Sequence, residues 1–238
     1  MLAAQSRLEL TLLLRNGEQL LLTMLIPVTM LVGLSLLPLG GPLGDDRVQR
    51  VVPAVMTAAV MGTAFTGQAI AVGFDRRYGA LKRLGATALP RWGIIAGKSV
   101  AVVVVVVLQA TLLGLIGCAL GWRPDMSGLA LGAVVIALGT AMFVAMGLLL
   151  GGTLRAEIVL ALANILWFAM LAIGGLVLLT SGIPHAVQLS ARLVPSGALA
   201  HALAQAVHDG AVDWFGIAVL VAWTAGLAAL ATRLFRFS

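Results

Sequence analysis

Charge is scarce in this chain. Of its 238 residues only 10% are Asp, Glu, Lys or Arg, whereas soluble domains carry about 25%. That shortage excludes a soluble globular fold, because a domain of this size buries too little surface to hide a chain that is 61% hydrophobic. It also excludes disorder, which needs enough charge to keep the chain solvated. Cysteine is almost absent, and the single Cys118 rules out an intramolecular disulfide and a Cys-rich metal site. No acidic residue falls near the centre of any long apolar run, where proton-coupled transporters usually need a titratable group. A folded basic face is missing too, so the isoelectric point near 11.0 does not point to nucleic acid.

What the sequence has is apolar residues in long runs, with a mean hydropathy of +1.09. A bilayer core about 30 Å thick takes roughly 20 residues per helix. The runs are continuously apolar rather than alternating, which selects helices over barrel strands. The sequence therefore predicts an all-α membrane protein in one domain, 1–238, with six transmembrane helices. They fall at about 20–39, 51–74, 95–121, 129–151, 158–179 and 214–232. With the N-terminus inside, Arg7, Arg15, Arg76, Arg77, Lys82, Arg83, Arg91, Lys98, Arg155, Arg233 and Arg236 lie on the inner side. Only Arg47, Arg50, Arg123 and Arg192 lie outside. Basic residues favour the cytoplasmic side, so the expectation is a multi-pass protein of the plasma (inner) membrane with both termini cytoplasmic. The first residues do not read as a cleavable signal, since the apolar run is too long and no A-x-A site follows it.

Residues 1–19 carry a helical pattern. Arg7, Thr11, Arg15 and Glu18 share one face and leucines cover most of the rest, as in a helix lying in the membrane interface. The alternative is a plain extension of the first span. Between spans five and six, the outer segment Thr180–Asp213 predicts short re-entrant or interfacial helices. One of them runs from about Ser196 to Asp209, with Pro195 and Ser196 at its start and Gly210 as its stop. His201, Gln205 and His208 share a face of it, read as a polar face in contact with water. Trp92, Trp122 and Trp214 fall at span ends as interface anchors, whereas Trp167, Trp223 and Cys118 are expected to pack. Glycine pairs at small-xxx-small spacing, such as Gly128/Gly132 and Gly147/Gly151, argue for a tight bundle.

Catalysis finds little support. The strongest polar residues within spans are Gln68, Gln109 and Asn164. They serve either interhelical hydrogen bonding or substrate contact in a central cavity. The Ser-Gly pairs lack the glycine an intramembrane serine protease nucleophile needs, and the three histidines fall in one outer segment. His201 and His208 stand two turns apart, a poor spacing for a closed zinc site, so no metal site is expected. Gly97-Lys98-Ser99 imitates a P-loop, but Trp92 stands where the first glycine belongs and no strand precedes it. No catalytic residue and no nucleotide site of the chain's own are expected.

The inner loop Asp75–Trp92, DRRYGALKRLGATALPRW, resembles the segment after the second span in ABC-2 type permeases, the membrane subunits of ABC exporters. More narrowly it looks like the daunorubicin-resistance type of drug-efflux permease of actinobacteria. Asp75-Arg76 begins that family's charged cluster. Gly79, Leu81, Lys82, Arg83 and Leu84 match its middle, and Thr87, Leu89, Pro90, Gly97 and Lys98 its end. Arg77 stands where an acid is usual, Ala80 for Thr, and Ala88 for the first Pro. Leu14-Arg15-Asn16, Ser181–Pro184 and Leu193–Pro195 fit the family more loosely.

The resemblance implies a permease subunit that moves a hydrophobic or amphipathic compound (drug, antibiotic or lipid-like) out of the cell. It implies two permease copies, identical or sister chains, and separate ATP-binding subunits that carry ATP and Mg, with no cofactor on this chain. Those subunits would dock on the N-terminal helix and on Asp75, Arg76, Arg77, Tyr78, Gly79, Leu81, Lys82, Arg83, Leu84, Thr87 and Pro90. Tyr78, Leu81, Leu84 and Ala88 are spaced as an apolar stripe on a short helix, leaving Arg76, Lys82 and Arg83 for headgroups or a partner. An ordinary positive-inside loop explains the charges but not the Gly-x-Leu-x-x-Leu order. The competing class is a secondary transporter or a non-transport membrane scaffold. It loses ground because neither a midplane titratable residue nor an internal repeat is visible.

Overall fold

The computed structural model describes Thr11 and residues 17–36, 47–85, 91–178 and 184–235; at 17–22, 84–85, 91–92 and 176–178 the description covers the backbone only. Nine helices account for nearly all of these residues: α1 (Gly17–Leu36), α2 (Arg47–Arg77), α3 (Ala80–Gly85), α4 (Arg91–Ala119), α5 (Met126–Thr153), α6 (Ala156–Leu178), α7 (His185–Leu193), α8 (Pro195–Asp209) and α9 (Trp214–Leu234). No strand occurs among the described residues. Within α2, α4, α5, α6 and α9 lie five stretches long and apolar enough to cross a bilayer, and the apolar Thr23–Leu36 part of α1 stands where the first span is expected. The protein is an all-α membrane protein.

Helix α5 occupies the centre of the bundle, against α2, α8 and α9. Its own glycines explain the position. A Cβ on Gly147 would stand 2.9 Å from the Phe65 carbonyl oxygen, and one on Gly151 would stand 2.5 Å from that of Ala69. The backbones of α2 and α5 therefore meet without side chains between them. In lipid, where no hydrophobic effect drives helices together, such close approach supplies the packing energy.

The other edge of α5 receives α8. Gly128 faces Ala206 and Val207, Gly132 faces Val207 and Leu203, and Gly139 faces Leu199. Helix α8 thus runs antiparallel to α5 and reaches the middle of its 28 residues. It is inserted into the bundle, with every residue from Pro195 to Ala200 buried. Pro195 opens it at the first helical turn, where a missing N–H does no harm, and Gly210 ends it in the left-handed region (φ 58°). Helix α7 stays mostly exposed and is pinned where the Trp223 indole N–H donates to the Leu193 carbonyl at 3.0 Å.

The bundle has two distinct ends. The loop end gathers the end of α2, helix α3, the start of α4, the α5–α6 turn and the end of α9. The hairpin end holds α7, α8 and the 120–125 turn. Three expectations need correction here. Trp122, expected as an interface anchor, is 2% exposed, because its ring folds back over Gly114 and Gly117. Cys118 and Trp223, expected to pack, are exposed.

Candidate functional site

At the loop end, α2 terminates at Arg77 and the chain turns through Tyr78-Gly79 into α3. Gly79 adopts φ 69°, which a side chain would strain, so the sharp turn requires glycine at this position. Three of the turn's charged residues are held by the bundle. The Arg76 guanidinium donates from Nη1 to the carbonyls of Gly151 (3.0 Å) and Leu154 (3.1 Å), which are left unpaired by the end of α5. Arg77 pairs with Glu157 at the start of α6. Asp75 pairs with Lys98 of α4 at 2.7 Å, with the lysine largely buried.

The loop is therefore fastened to α4, α5 and α6. Against expectation, Arg76 points inward and does not offer itself to headgroups or a partner. Leu81 is 1% exposed while Tyr78 is 67% exposed, so they do not form one stripe. Leu81 anchors α3 in the core; Lys82 and Arg83 form its outward face, and Tyr78, in the turn before it, is exposed as well. The side chain of Leu84, and Thr87, Ala88 and Pro90, lie outside the described residues. So do Arg7, Arg15 and the side chain of Glu18; Thr11 is described and exposed. Beside the turn, Gly73, Arg76, Arg77 and residues 154–157 enclose a polar notch of about 220 Å³.

Higher in the same helix, residues Met61–Gly67 form a π-helical segment. Such segments are rare and recur at functional sites because the wider turn re-aims side chains. Here Phe65 turns into the core beside Phe143, ring centroids 6.4 Å apart, while Thr63 and Thr66 face a cavity of about 530 Å³. The cavity lies between α1, α2, α4 and α6 and is otherwise apolar, lined by Ile26, Met30, Phe168 and Leu171 among others.

Gln109 and Asn164 both reach this cavity. Gln109 accepts from the Thr63 hydroxyl at 2.9 Å and donates to the Thr23 carbonyl at 2.6 Å, tying α4 to α2 and α1. The Asn164 amide donates to the Leu160 carbonyl of its own helix. Gln68 is placed elsewhere: it is buried at the α2–α5 contact against Gly147 and does not line the cavity. Two lining groups escaped the sequence reading. The Trp167 indole N–H and the Thr66 hydroxyl are buried there without a hydrogen-bond partner among the described residues. A buried unpaired polar group is costly, so these two favour an occupant that brings an oxygen acceptor. Thr66 belongs to the π-helical segment, whereas Trp167 reaches the cavity from α6.

The hairpin end holds a third cluster. Asp213 caps α9 through the Gly216 N–H (3.1 Å). It also accepts from Arg192 of α7 at 2.8 Å, and its carboxylate lies 2.8 Å from Nδ1 of His201 on α8. Burial pushes the Asp213 carboxyl up, but the Gly216 N–H, His201 and the Arg192 guanidinium outweigh it and hold the group below its ordinary value. His201, expected on a water-facing stripe, is instead part of the knot that joins α7, α8 and α9. His208 is exposed and turns back to the Ala204 carbonyl.

The sequence model of the family described as "ABC-2 type transporter" matches residues 3–208. The chain belongs to the ABC-2 type transporter family. As an ABC-2 permease it is a multi-pass membrane subunit of an ABC transporter, a family that normally works with an ATP-binding subunit. No curated protein matches the chain. In this permease, the fastened loop end and the π-lined cavity belong to one continuous helix, α2.

Proposed function

We propose that this ABC-2 permease exports a hydrophobic or amphipathic compound, of the kind handled by daunorubicin-resistance-type drug-efflux permeases. ATP and Mg are carried by separate ATP-binding subunits docked at the loop end. The docking surface consists of Tyr78 in the turn, Lys82 and Arg83 on α3, the notch around Arg77 and Glu157, and the N-terminal residues Arg7, Thr11, Arg15 and Glu18. Two permeases, identical or sister chains, form the pathway from one domain each, 1–238. The protein sits in the plasma (inner) membrane with the loop end and both termini cytoplasmic. The basic residues Arg76, Arg77, Lys82, Arg83, Lys98, Arg155 and Arg233 at the loop end support that orientation.

One observation carries the reading. Helix α2 runs from the Arg76–Arg77 turn to the cavity wall at Thr63 and Thr66 without a break in its hydrogen-bonded course. A displacement at the loop is carried along this helix toward the cavity wall, about 15 Å away from Arg76 to Thr66 at 1.5 Å per residue. The cavity volume of about 530 Å³ suits a drug-sized molecule. Its apolar walls admit an apolar body, and the Trp167 N–H and Thr66 hydroxyl take an ether, carbonyl or similar oxygen.

The test is co-purification from native membranes followed by transport in vesicles. An ATPase bearing a P-loop should accompany the chain, and ATP-dependent efflux of amphipathic dyes should fall when Lys82 and Arg83 are both replaced by Glu. Absence of any such ATPase from the purified complex overturns the reading.

A further inference from the structure

A second cavity, of about 400 Å³, lies on the opposite side of α4 from the first. Helices α4 and α5 diverge there and meet only sparsely, leaving a groove floored by Met56 of α2 and by Leu203 and Val207 of α8. Its rims are open, with Val107 and Leu115 exposed by 55% and 66%. Its two hydroxyls are turned back on their own helices, Thr111 to the Val107 carbonyl and Thr140 to that of Ile136. Apart from the Cys118 thiol, the walls therefore offer hydrocarbon. A second exception stands at one end, where Trp122 is 2% exposed and its indole N–H has no partner among the described residues. Arg123, exposed, follows it.

We infer that this groove is a binding site for one acyl chain of a phospholipid, with Trp122 as the donor to its ester or phosphate oxygen and Arg123 beside the phosphate. Length supports the occupant. From Leu129 to Thr140 the α5 wall runs about 16 Å at 1.5 Å per residue, close to the ~15 Å depth of one leaflet of a ~30 Å core. The groove begins at the 120–125 turn and stops near the middle of α5, so it spans a single leaflet, the outer one in the orientation proposed above. Chemistry supports it as well. An apolar cleft open sideways to a bilayer fills with chains, and a buried indole N–H beside a guanidinium calls for an anionic or ester oxygen. The site is separate from the transport cavity and stands whether or not the export reading does.

The experiment uses the full chain in nanodiscs containing phosphatidylglycerol with a diazirine halfway along one acyl chain, with adducts mapped by peptide mass spectrometry. Adducts should concentrate on residues 103–118 and 129–140, several-fold above the exposed face of α9 at Val221 and Leu230. Ala133 and Ala137 are exposed on the groove wall, and the pair Ala133→Leu with Ala137→Leu should remove that excess while α9 labelling is unchanged. Trp122→Phe keeps the ring and removes the N–H, and should lower groove labelling about fivefold, the value of one hydrogen bond. Equal labelling of both faces in the wild-type chain overturns the proposal by itself. So does loss-free labelling in the filled variant. Oxidation supplies the remaining outcome: a disulfide-linked pair through Cys118, the chain's one cysteine, would mean that a second copy covers the groove, and lipid would be the wrong occupant.

Discussion

Arg76→Ala is the perturbation that separates holding the loop from displaying it. Arg76 donates through one nitrogen to two carbonyls at the end of α5. Hydrogen bonds from a charged donor contribute about 1.5–3 kcal/mol each. A cation at a helix C-terminus adds about 0.3–1 kcal/mol through the macrodipole. Because both bonds share one Nη1 and the site is only partly buried, the lower ends apply, and the loss should be about 2–4 kcal/mol. For a chain of this size each kcal/mol moves the melting temperature by roughly 2–4 °C, so Arg76→Ala should melt about 5–10 °C below wild type in detergent, followed by tryptophan fluorescence. Arg76→Lys keeps the charge with a shorter reach and should recover part of the difference. In vesicles, the complex carrying Arg76→Ala should hydrolyse ATP with fewer molecules exported per ATP, because a loosened α2 no longer moves with the loop. A melting temperature within 1 °C of wild type would refute the clamp. A destabilised variant with unchanged export per ATP would refute the coupling while leaving the clamp intact.

Lys82→Glu with Arg83→Glu should leave the melting temperature nearly unchanged, since exposed substitutions stay within about 0.5 kcal/mol, yet weaken ATPase retention during salt washes. Leu81→Asp should fail differently: with its side chain buried in the core, it should destabilise by about 3–5 kcal/mol and lower the folded yield, read by size-exclusion chromatography. Gln109→Leu strips the partners of Thr63 and Thr23 and should cost about 1–2 kcal/mol, with reduced binding of amphipathic dyes measured by equilibrium dialysis. The carboxyl of Asp213 lies below its ordinary 3.8, so its stabilising effect is complete above that pH and is lost as pH falls through the lowered value. An acid loss of melting temperature that Asp213→Asn flattens should appear below about pH 4.

Much of the architecture was legible because bilayer physics leaves few alternatives. Long uncharged runs must be helices, and the Pro195 and Gly210 signals located α8 within a residue at each end. The depth of α8 was not legible, because its insertion depends on Gly128, Gly132 and Gly139 across the interface, and small residues in a glycine-rich chain carry no address. The loop was recognised by its residue order, but the direction of each side chain was not. Periodicity places Tyr78 and Leu81 on one stripe only if the helix is unbroken, and Gly79 breaks it. The Arg192–Asp213–His201 knot joins residues far apart in sequence, so spacing could not reveal it. Asp213 just before an apolar run was its one visible sign, as a capping residue.

In the proposed docking, the division of charge at the turn lets one short segment hold the bundle and present a face to the ATP-binding subunit. Asp75, Arg76 and Arg77 sit in the last turn of α2 and are held by α4, the end of α5 and α6. Lys82 and Arg83 sit beyond the glycine turn and face away. If all of them faced outward, a partner would push on a frayed helix end and the force would dissipate in local unfolding. If all faced inward, nothing would remain for the partner to hold. Gly79 separates the two groups at a turn, and in the proposed mechanism a push on α3 reaches α2 through Leu81, buried in the core, as well as through the backbone. The same logic places the π-helical segment. Such wide turns recur at functional sites, and this one sets Thr63 and Thr66 beside the cavity. In the proposed mechanism α2 is a lever clamped at the loop end and held against α5 where Gly147 and Gly151 meet the backbone of Phe65 and Ala69.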